Sequence, residues 1–423
     1  MGSDPIQLVA VGAAGLCAVL GLFLLIRRQP KWAMALWATT LFFTPIWLGV
    51  NAPGMFISAL TGMTVLCIAS GYTDRLTWSS VDTVMLVLLA VVLLAQIMGG
   101  AVAGHVQNSL LTWFLPYLWG RLVLGRVSEH WVAACIAVAA LIASVLAIAE
   151  FVTGQSFFLA VPGDAGVWGV QQIRGGQLRV EGAFGHSIAL GGSLAMSAAF
   201  VLSVRWPTWV RGAILVVVGV AAVLTFSRLG LIGFALTVLL AVAFLGRYMD
   251  RAFRIGLLVI LGVGSAVALP ILLEVFGEAG AEAEGSAAYR FDLIPLINSM
   301  VVVGVSPSRE VLATGQDYWG GFRSIDSALI LIGLRFGLLC LVIVVLLLAI
   351  LLVGVLRRAS PASVALVAQI PAFATVALIT QYAVFVWFTA GLAVASYTLS
   401  RGSAAGGRIE ERVDSARDVV GAT

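Results

Sequence analysis

The residues best suited to chemistry are arginines at the ends of long apolar segments, with a few carboxylates beside them. Guanidinium groups match phosphate oxygens bidentately, stay charged at any relevant pH and need no metal. Several arginines meeting at one place would therefore bind an anionic group. The alternative is that each arginine pairs with a nearby acid. The candidates are Arg174, Arg179, Arg228, Arg290, Arg309 and Arg323.

One short segment combines three useful side chains. It reads Arg179-Val-Glu181-Gly-Ala-Phe-Gly-His186, and its two glycines permit a sharp turn into the apolar run that follows. Arg179, Glu181 and His186 could then face one pocket. His186 could donate a hydrogen bond to a phosphate or a sugar hydroxyl, or it could cap the helix that begins beside it.

A second segment combines aromatic and charged residues. Tyr318 and Trp319 follow Asp317, and such aromatic faces hold sugar rings in some proteins and form interface belts in others. Asp326 stands where the next apolar run begins. There it could cap a helix N-terminus, or it could accept a proton from an acceptor hydroxyl.

The elements that must position these residues are membrane spans. The 423 residues are 61% hydrophobic and only 10% charged, against about 25% charged in soluble domains. A water-soluble enzyme is therefore excluded, and nothing indicates a nucleic-acid partner. The four cysteines all lie within apolar runs, which favours packing over disulfides. No metal-ligand spacing, phosphate-binding loop or dinucleotide glycine motif is present, so we expect no cofactor.

The apolar runs predict an all-α, polytopic bundle of 12 or 13 transmembrane helices. The pair within 32–71 decides between the two counts. Basic residues fall in alternate loops, and the positive-inside rule makes that side cytoplasmic. The predicted spans are 7–26, 32–50, 54–71, 81–99, 107–125, 131–151, 187–204, 208–226, 229–246, 255–275, 325–356, 360–379 and 382–400.

The domain prediction is one membrane unit, residues 1–401, and a cytoplasmic tail, 402–423. A single helix over the apolar stretch 212–246 would be about 52 Å long, too long for a hydrocarbon core of about 30 Å. We therefore predict a tight hairpin with Arg228 at its outer turn. Two long outer loops, 152–186 and 275–325, remain, and we expect the activity there.

Four features in this order resemble the O-antigen ligase and polymerase superfamily, over about residues 130–356. They are the Arg179–His186 segment, the turn Thr225-Phe-Ser227-Arg228-Leu-Gly230, the long second loop with Arg290, and Ser324-Ile-Asp326-Ser327 entering a span. The resemblance implies a metal-independent inverting glycosyltransferase that takes a glycan from a polyprenyl diphosphate carrier on the outer side of the cytoplasmic membrane.

Within this resemblance, Arg179 and Arg228 match the arginines that hold the diphosphate, and Arg290 matches a loop arginine. We expect Arg174, His186, Arg323, Tyr318 and Trp319 to contribute to substrate binding. Asp326 is the first candidate for the base, and Glu181 is the second. The partners would be the carrier-linked oligosaccharide, an acceptor glycan, membrane lipid and a chain-length regulator or flippase.

Two alternatives stay open. The ligase branch has a histidine near the end of the second loop, and none lies within 275–325 here, which favours a polymerase. Polymerases commonly have an Asp-Asn pair at the place of Asp326-Ser327. The other alternative is a transporter or flippase, although transporters usually place ionisable groups near the bilayer midplane.

Overall fold

The fold is known from a computed structural model, which describes residues 5–52, 55–71, 76–163, 165–278, 289, 291–312 and 317–420. It is mostly helical. Within these ranges, five helices are long and apolar enough to cross a membrane: Ser80–Gly99, Glu129–Thr153, Arg251–Val275, Leu338–Arg357 and Thr380–Ser400. The predicted helical fold is confirmed at this level, and the count of 12 or 13 spans stays a prediction.

The helices follow the order of the predicted apolar runs, and three short antiparallel hairpins join some of them. The strand pairs are β1–β2 (Gly49–Ala52, Met55–Ser58), β3–β4 (Ile173–Arg174, Gln177–Leu178) and β5–β6 (Arg309–Val311, Asp317–Trp319). The helices are α1 Pro5–Arg28, α2 Pro30–Phe43, α3 Ala59–Ser70, α4 Ser80–Gly99, α5 Ala103–Ser109, α6 Leu115–Val123, α7 Glu129–Thr153, α8 Ser187–Ser203, α9 Thr208–Leu224, α10 Arg228–Phe244, α11 Arg251–Glu278, α12 Ala328–Phe336, α13 Leu338–Arg357, α14 Pro361–Val367, α15 Ile370–Thr375 and α16 Thr380–Val420.

Several predicted spans are divided. A π-helical turn at Leu110–Phe114 joins α5 to α6 within the run 107–125, and the run 360–379 forms α14 and α15. The β1–β2 hairpin, by contrast, lies at the junction of the two separately predicted spans 32–50 and 54–71. The run 325–356 is divided at Gly337, whose φ of 98° is outside the helical region. A Cβ there would lie 2.6 Å from the carbonyl oxygen of Val302, so only glycine fits.

Helix α8 lies at the centre of the bundle. It packs against α7, α9, α10 and α14, and nearly all of its side chains are buried. Its glycines let neighbours approach closely, as expected for helices packed in lipid. A Cβ on Gly191 would lie 3.3 Å from the Cα of Gly230 in α10, and one on Gly192 would lie 2.8 Å from the ring of Tyr382.

The predicted hairpin within 212–246 is confirmed. Helix α9 ends at Leu224, and α10 begins at Arg228 with Ser227 as its N-cap, accepting a hydrogen bond from the Gly230 amide at 3.2 Å. Phe226 in the turn has a φ of 43°, which is uncommon for a residue with a bulky side chain. The turn is therefore tight, as the lengths of the two helices require.

The ends of the bundle agree with the predicted alternation of loops. Arg211 donates to the carbonyls of Leu202 and Tyr248, both at 2.8 Å. Tyr248 in turn contacts Glu129 at the start of α7. Loops predicted to share the arginine-rich side thus meet at one end. The last helix continues to Val420, so the predicted boundary between 401 and 402 does not coincide with a helix end.

We expect Gly391→Ala to destabilise the crossing of α6 and α16. A Cβ at Gly391 would lie 2.0 Å from the Tyr117 carbonyl oxygen, a backbone atom that cannot rotate away. Overpacking of this kind costs about 1–3 kcal/mol, and the melting temperature in detergent should fall. Gly264→Ala on α11 is the matched control, because its Cβ would meet nothing within 4 Å. Equal melting temperatures for the two variants would contradict the close approach of α6 and α16 at Gly391.

Candidate functional site

The first predicted outer loop, 152–186, docks onto the turn between α9 and α10. Arg174 donates from Nη1 to the Phe226 carbonyl at 3.1 Å, and Arg179 donates from Nε to the Thr225 carbonyl at 3.0 Å. The Val180 amide adds a bond to the Leu224 carbonyl at 3.3 Å. Two predicted binding arginines therefore lie beside the turn that leads to Arg228. We call Arg174, Arg179, Glu181, His186 and residues 225–228 the arginine site.

The β3–β4 hairpin positions the two loop arginines. Arg174 ends β3, and Gly175 and Gly176 form the turn with φ values of 50° and 68°. Left-handed backbone of this kind favours glycine. After β4, the Arg179 amide bonds to the Gln172 carbonyl at 2.9 Å. The hairpin thus returns the chain so that both arginines face the α9–α10 turn.

Two buried carboxylates lie beneath this loop. Glu150, near the end of α7, accepts hydrogen bonds from the amides of Glu181 (3.2 Å) and Gly182 (3.0 Å). The Glu181 carboxylate accepts one from the Gln172 amide at 2.7 Å and is 2% exposed. Burial, with a further contribution from the Glu150 charge, raises the pKa of Glu181 to about 7. This carboxyl therefore takes up a proton near neutral pH.

His186 caps α8, as one of its two predicted roles requires. Its Nδ1 accepts a hydrogen bond from the Ile188 amide at 3.2 Å. Burial and then the charges of Arg179 and Arg174 lower its pKa to about 4, so the ring is neutral at pH 7. A neutral ring that accepts at Nδ1 carries its proton on Nε2. The cap therefore leaves His186 a donor, and the two predicted roles are compatible.

Arg228 is exposed at the first position of α10. The N-terminus of a helix favours anions through its amide groups and its dipole. The positive charge of the Arg228 guanidinium adds to the positive potential of the helix N-terminus. Arg228 is exposed, Arg174 is partly exposed and Arg179 is buried, and together they make this end of α10 positively charged.

Asp317 fixes the second predicted outer loop, 275–325, to His105 of α5 and also pairs with Arg309 within the loop. Asp317 on β6 contacts His105 Nε2 at 2.9 Å and Arg309 Nη2 at 2.7 Å. Trp319 on the same strand is 2% exposed and packs in an apolar cluster with Leu296. Its ring is core, so neither predicted use, sugar platform or interface belt, describes it. Tyr318 is partly exposed.

Asp326 is not the helix cap, which corrects one of its two predicted roles. Ser327 caps α12 by accepting from the Ile330 amide at 3.3 Å. The Asp326 carboxylate, partly exposed, accepts from the Ser324 hydroxyl at 2.9 Å. Tyr289 donates to the Ser324 carbonyl, and its pKa is raised by burial and by the charge of Asp326.

The predicted residues thus fall into two groups. The arginine site brings together Arg174, Arg179, Glu181 and His186 beside Arg228. Asp326, Tyr318 and Trp319 belong to the second outer loop, where Arg323 is also exposed. The described hydrogen bond of the Asp326 carboxylate comes from Ser324 and does not link it to the arginine site. Arg290 lies outside the described residues.

Glu150 and Gln172 were not predicted. Glu150 is an acid near the end of an otherwise apolar run, and that position was the available signal. Gln172 joins the parts of the site: its amide reaches Glu181, and its side-chain oxygen accepts from Ser187 at 2.7 Å. No sequence pattern marks such a residue. Within the described ranges, no three His, Cys, Asp or Glu side chains are placed to hold a metal ion.

Comparison with the models of known protein families finds no match for this chain, and comparison with curated protein sequences finds none either.

We expect Glu181→Gln to change how stability depends on pH. The folded-state pKa of about 7 exceeds the ordinary 4.5, so the folded protein binds more protons between these values. This contribution to stability is present at low pH and is lost as the pH rises to 7, by a few kcal/mol. The variant has no carboxyl at this position and so lacks that loss. The melting temperature of the variant minus that of the wild type should therefore be larger at pH 8 than at pH 5.

Subtracting the wild type from the variant at each pH cancels the contributions of the other titrating groups to stability. These include His186, whose lowered pKa stabilises the fold as the pH rises from about 4 to 6.5. Gln keeps an oxygen that can accept from the Gln172 amide. A difference in melting temperature that is the same at both pH values would contradict a raised pKa at Glu181.

Proposed function

We propose that this chain is a membrane glycosyltransferase of the O-antigen polymerase and ligase type. It transfers a glycan from a polyprenyl diphosphate carrier to a sugar hydroxyl at the extracytoplasmic face of the plasma membrane, and it polymerises polysaccharide repeat units. The observation that carries the proposal is that Arg174 and Arg179 meet the turn that presents Arg228. Three guanidinium groups and a helix N-terminus suit a diphosphate.

The chemistry requires charge stabilisation on one side of the sugar. When the bond between the sugar and the diphosphate breaks, the electron pair stays on the carrier diphosphate. Guanidinium groups held in place stabilise that charge without reorganising. An arginine has five N–H donors, so it can bond to a backbone carbonyl and a phosphate together. The bonds from Arg174 and Arg179 to the turn hold both groups in position.

The acceptor hydroxyl attacks the opposite face of the sugar and loses its proton to a base. Asp326 is the first candidate because its carboxylate is partly exposed and Ser327 already caps the helix. Glu181 is the second. Its pKa of about 7 suits a base, but its burial limits access by a sugar.

A ligase is the second candidate function. No histidine occurs within 275–325 of the sequence, which favours the polymerase. In the structure, however, His105 reaches the second loop from α5 and contacts Asp317 at 2.9 Å. A histidine thus lies beside that loop in space, although the ligase resemblance calls for one within 275–325 of the sequence. A ligase would transfer the glycan once, to a lipid or protein acceptor.

A transporter or flippase is supported less well. Buried charged side chains lie near helix ends: Asp82 is the third residue of α4 and pairs with Arg121 at 2.8 Å, and Glu150 is the fourth from the end of α7. Transport sites more often lie near the bilayer midplane. Charge near the helix ends is better suited to chemistry at the membrane surface.

We expect Arg228→Ala to reduce glycan transfer by about 10²–10³-fold, the range for loss of one charge-stabilising donor. The assay uses the purified protein, a polyprenyl diphosphate-linked oligosaccharide and EDTA, with products separated on a gel. A ladder of repeats indicates a polymerase, and one transfer to a separate lipid indicates a ligase. Arg228 is exposed, so the fold should survive.

The matched control is Arg251→Ala, which removes an exposed arginine at the start of α11. It should keep full activity. Equal loss in both variants would indicate a general effect of charge, and activity that persists in Arg228→Ala would refute the role of the arginine site. No product from the wild type with any carrier-linked glycan would refute the glycosyltransferase.

We expect Asp326→Asn to lower the rate by about 10²–10⁴-fold, the usual contribution of a general base. Asn keeps the shape and can still accept from Ser324, so the melting temperature should not change. Ser327→Ala provides the contrast: it removes the helix cap, costs about 1 kcal/mol of stability and leaves the base in place. Full activity of the Asp326→Asn variant would show that another residue is the base.

A further inference from the structure

A large cavity lies between α4, α13 and α16, at the arginine-rich end of the bundle. Its volume is about 1280 Å³, larger than the roughly 300–1,000 Å³ of most small-molecule sites. The arginine site lies at the other end of the bundle, beside the α9–α10 turn. The cavity therefore needs an explanation of its own.

The inner part of the cavity is apolar and deep. Leu347, Trp387 and Val394 line it, and Val344 and Arg357 mark its extent along α13. Arg357 follows Val344 by 13 residues, and at the rise of a helix this distance is about 20 Å. One leaflet contributes half of a hydrocarbon core of about 30 Å. The cavity is thus deep enough for hydrocarbon chains entering from a single leaflet.

The mouth of the cavity is positively charged. Arg247, Arg357 and Arg358 line it with one acid, Glu129. Glu129 already accepts hydrogen bonds from Ser396 (3.2 Å) and Tyr248 (3.4 Å). The arginines are exposed and lie where a lipid headgroup would be if its chains filled the apolar part.

We infer that the cavity binds one anionic phospholipid. The phosphate contacts the arginines at the mouth, and the acyl chains lie between α4, α13 and α16. The lipid comes from the leaflet on the side of Arg357 and Arg358. Charge complementarity selects an anionic over a zwitterionic headgroup, and the depth of the apolar part selects a molecule with chains over a free phosphate. This inference does not depend on the proposed function.

Gly354 offers a direct test. It lines the cavity, and a Cβ there would meet nothing within 4 Å, so Gly354→Leu should fill the cavity without clashing with the protein. Leucine also has a higher helix propensity than glycine. The matched control is Gly262→Leu on α11, where a Cβ likewise meets nothing within 4 Å and which is not among the residues lining the cavity.

The experiment measures lipid binding to the purified full chain by native mass spectrometry in detergent. The probes are phosphatidylglycerol and phosphatidylcholine with the same acyl chains, with glycerol phosphate as a soluble competitor. We expect one phosphatidylglycerol per chain, at least tenfold weaker binding in Gly354→Leu, no change in Gly262→Leu and no competition by glycerol phosphate. Arg357→Gln with Arg358→Gln should remove the preference for phosphatidylglycerol.

Three results would overturn the inference. Wild-type affinity in Gly354→Leu would show that the lipid binds elsewhere. Equal affinity for both lipids in the wild type would refute selection by the arginines. Displacement by glycerol phosphate would indicate a phosphate site without a role for the chains. Melting temperatures of the variants, measured in parallel, confirm that each is folded.

Discussion

The contact between α8 and α10 is the constraint on which the arginine site depends. Gly191 and Gly230 let the two helix backbones touch, and any larger residue would separate them. This contact holds the turn 225–228 over the start of α8, where His186 is the N-cap. The carbonyls of that turn then receive Arg174 and Arg179. One pair of glycines thus sets where the turn, and with it Arg228, lies relative to the start of α8.

The site combines three arginines, one of them buried, with two buried acids. Backbone amides stabilise Glu150, and Glu181 takes up a proton near pH 7 because burial and the Glu150 charge both disfavour its ionised form. Burial, and then the charges of Arg179 and Arg174, lower the pKa of His186 and keep its ring neutral. Protonation of Glu181 near neutral pH removes one negative charge from beside the arginines, so the site is more positive when this carboxyl is neutral.

Sequence reasoning located elements better than contacts. The length of the 212–246 stretch required a hairpin, and the structure has one with Arg228 in the first position of α10. The grouping of Arg179, Glu181 and His186 followed from their closeness in sequence. The contacts of Glu150 and His105 were not predicted, because their partners, 31 and 212 residues away, cannot be read from local pattern. The cap of α12 was misplaced by one residue, since Asp and Ser are nearly equivalent caps.

The break at Gly337 shows how the second outer loop becomes part of the membrane bundle. Backbone polar groups freed where a helix stops need new partners, above all away from water. Segment 301–306 supplies them: the amides of Gly304 and Ser306 bond to Phe336 and Leu334, and its carbonyls receive the amides of Leu338 and Leu339. The loop is therefore anchored by backbone bonds at the junction of α12 and α13. Because α12 begins beside Asp326, the same anchor fixes the proposed base to the bundle. A loop attached only by its side chains would not hold that carboxylate so rigidly.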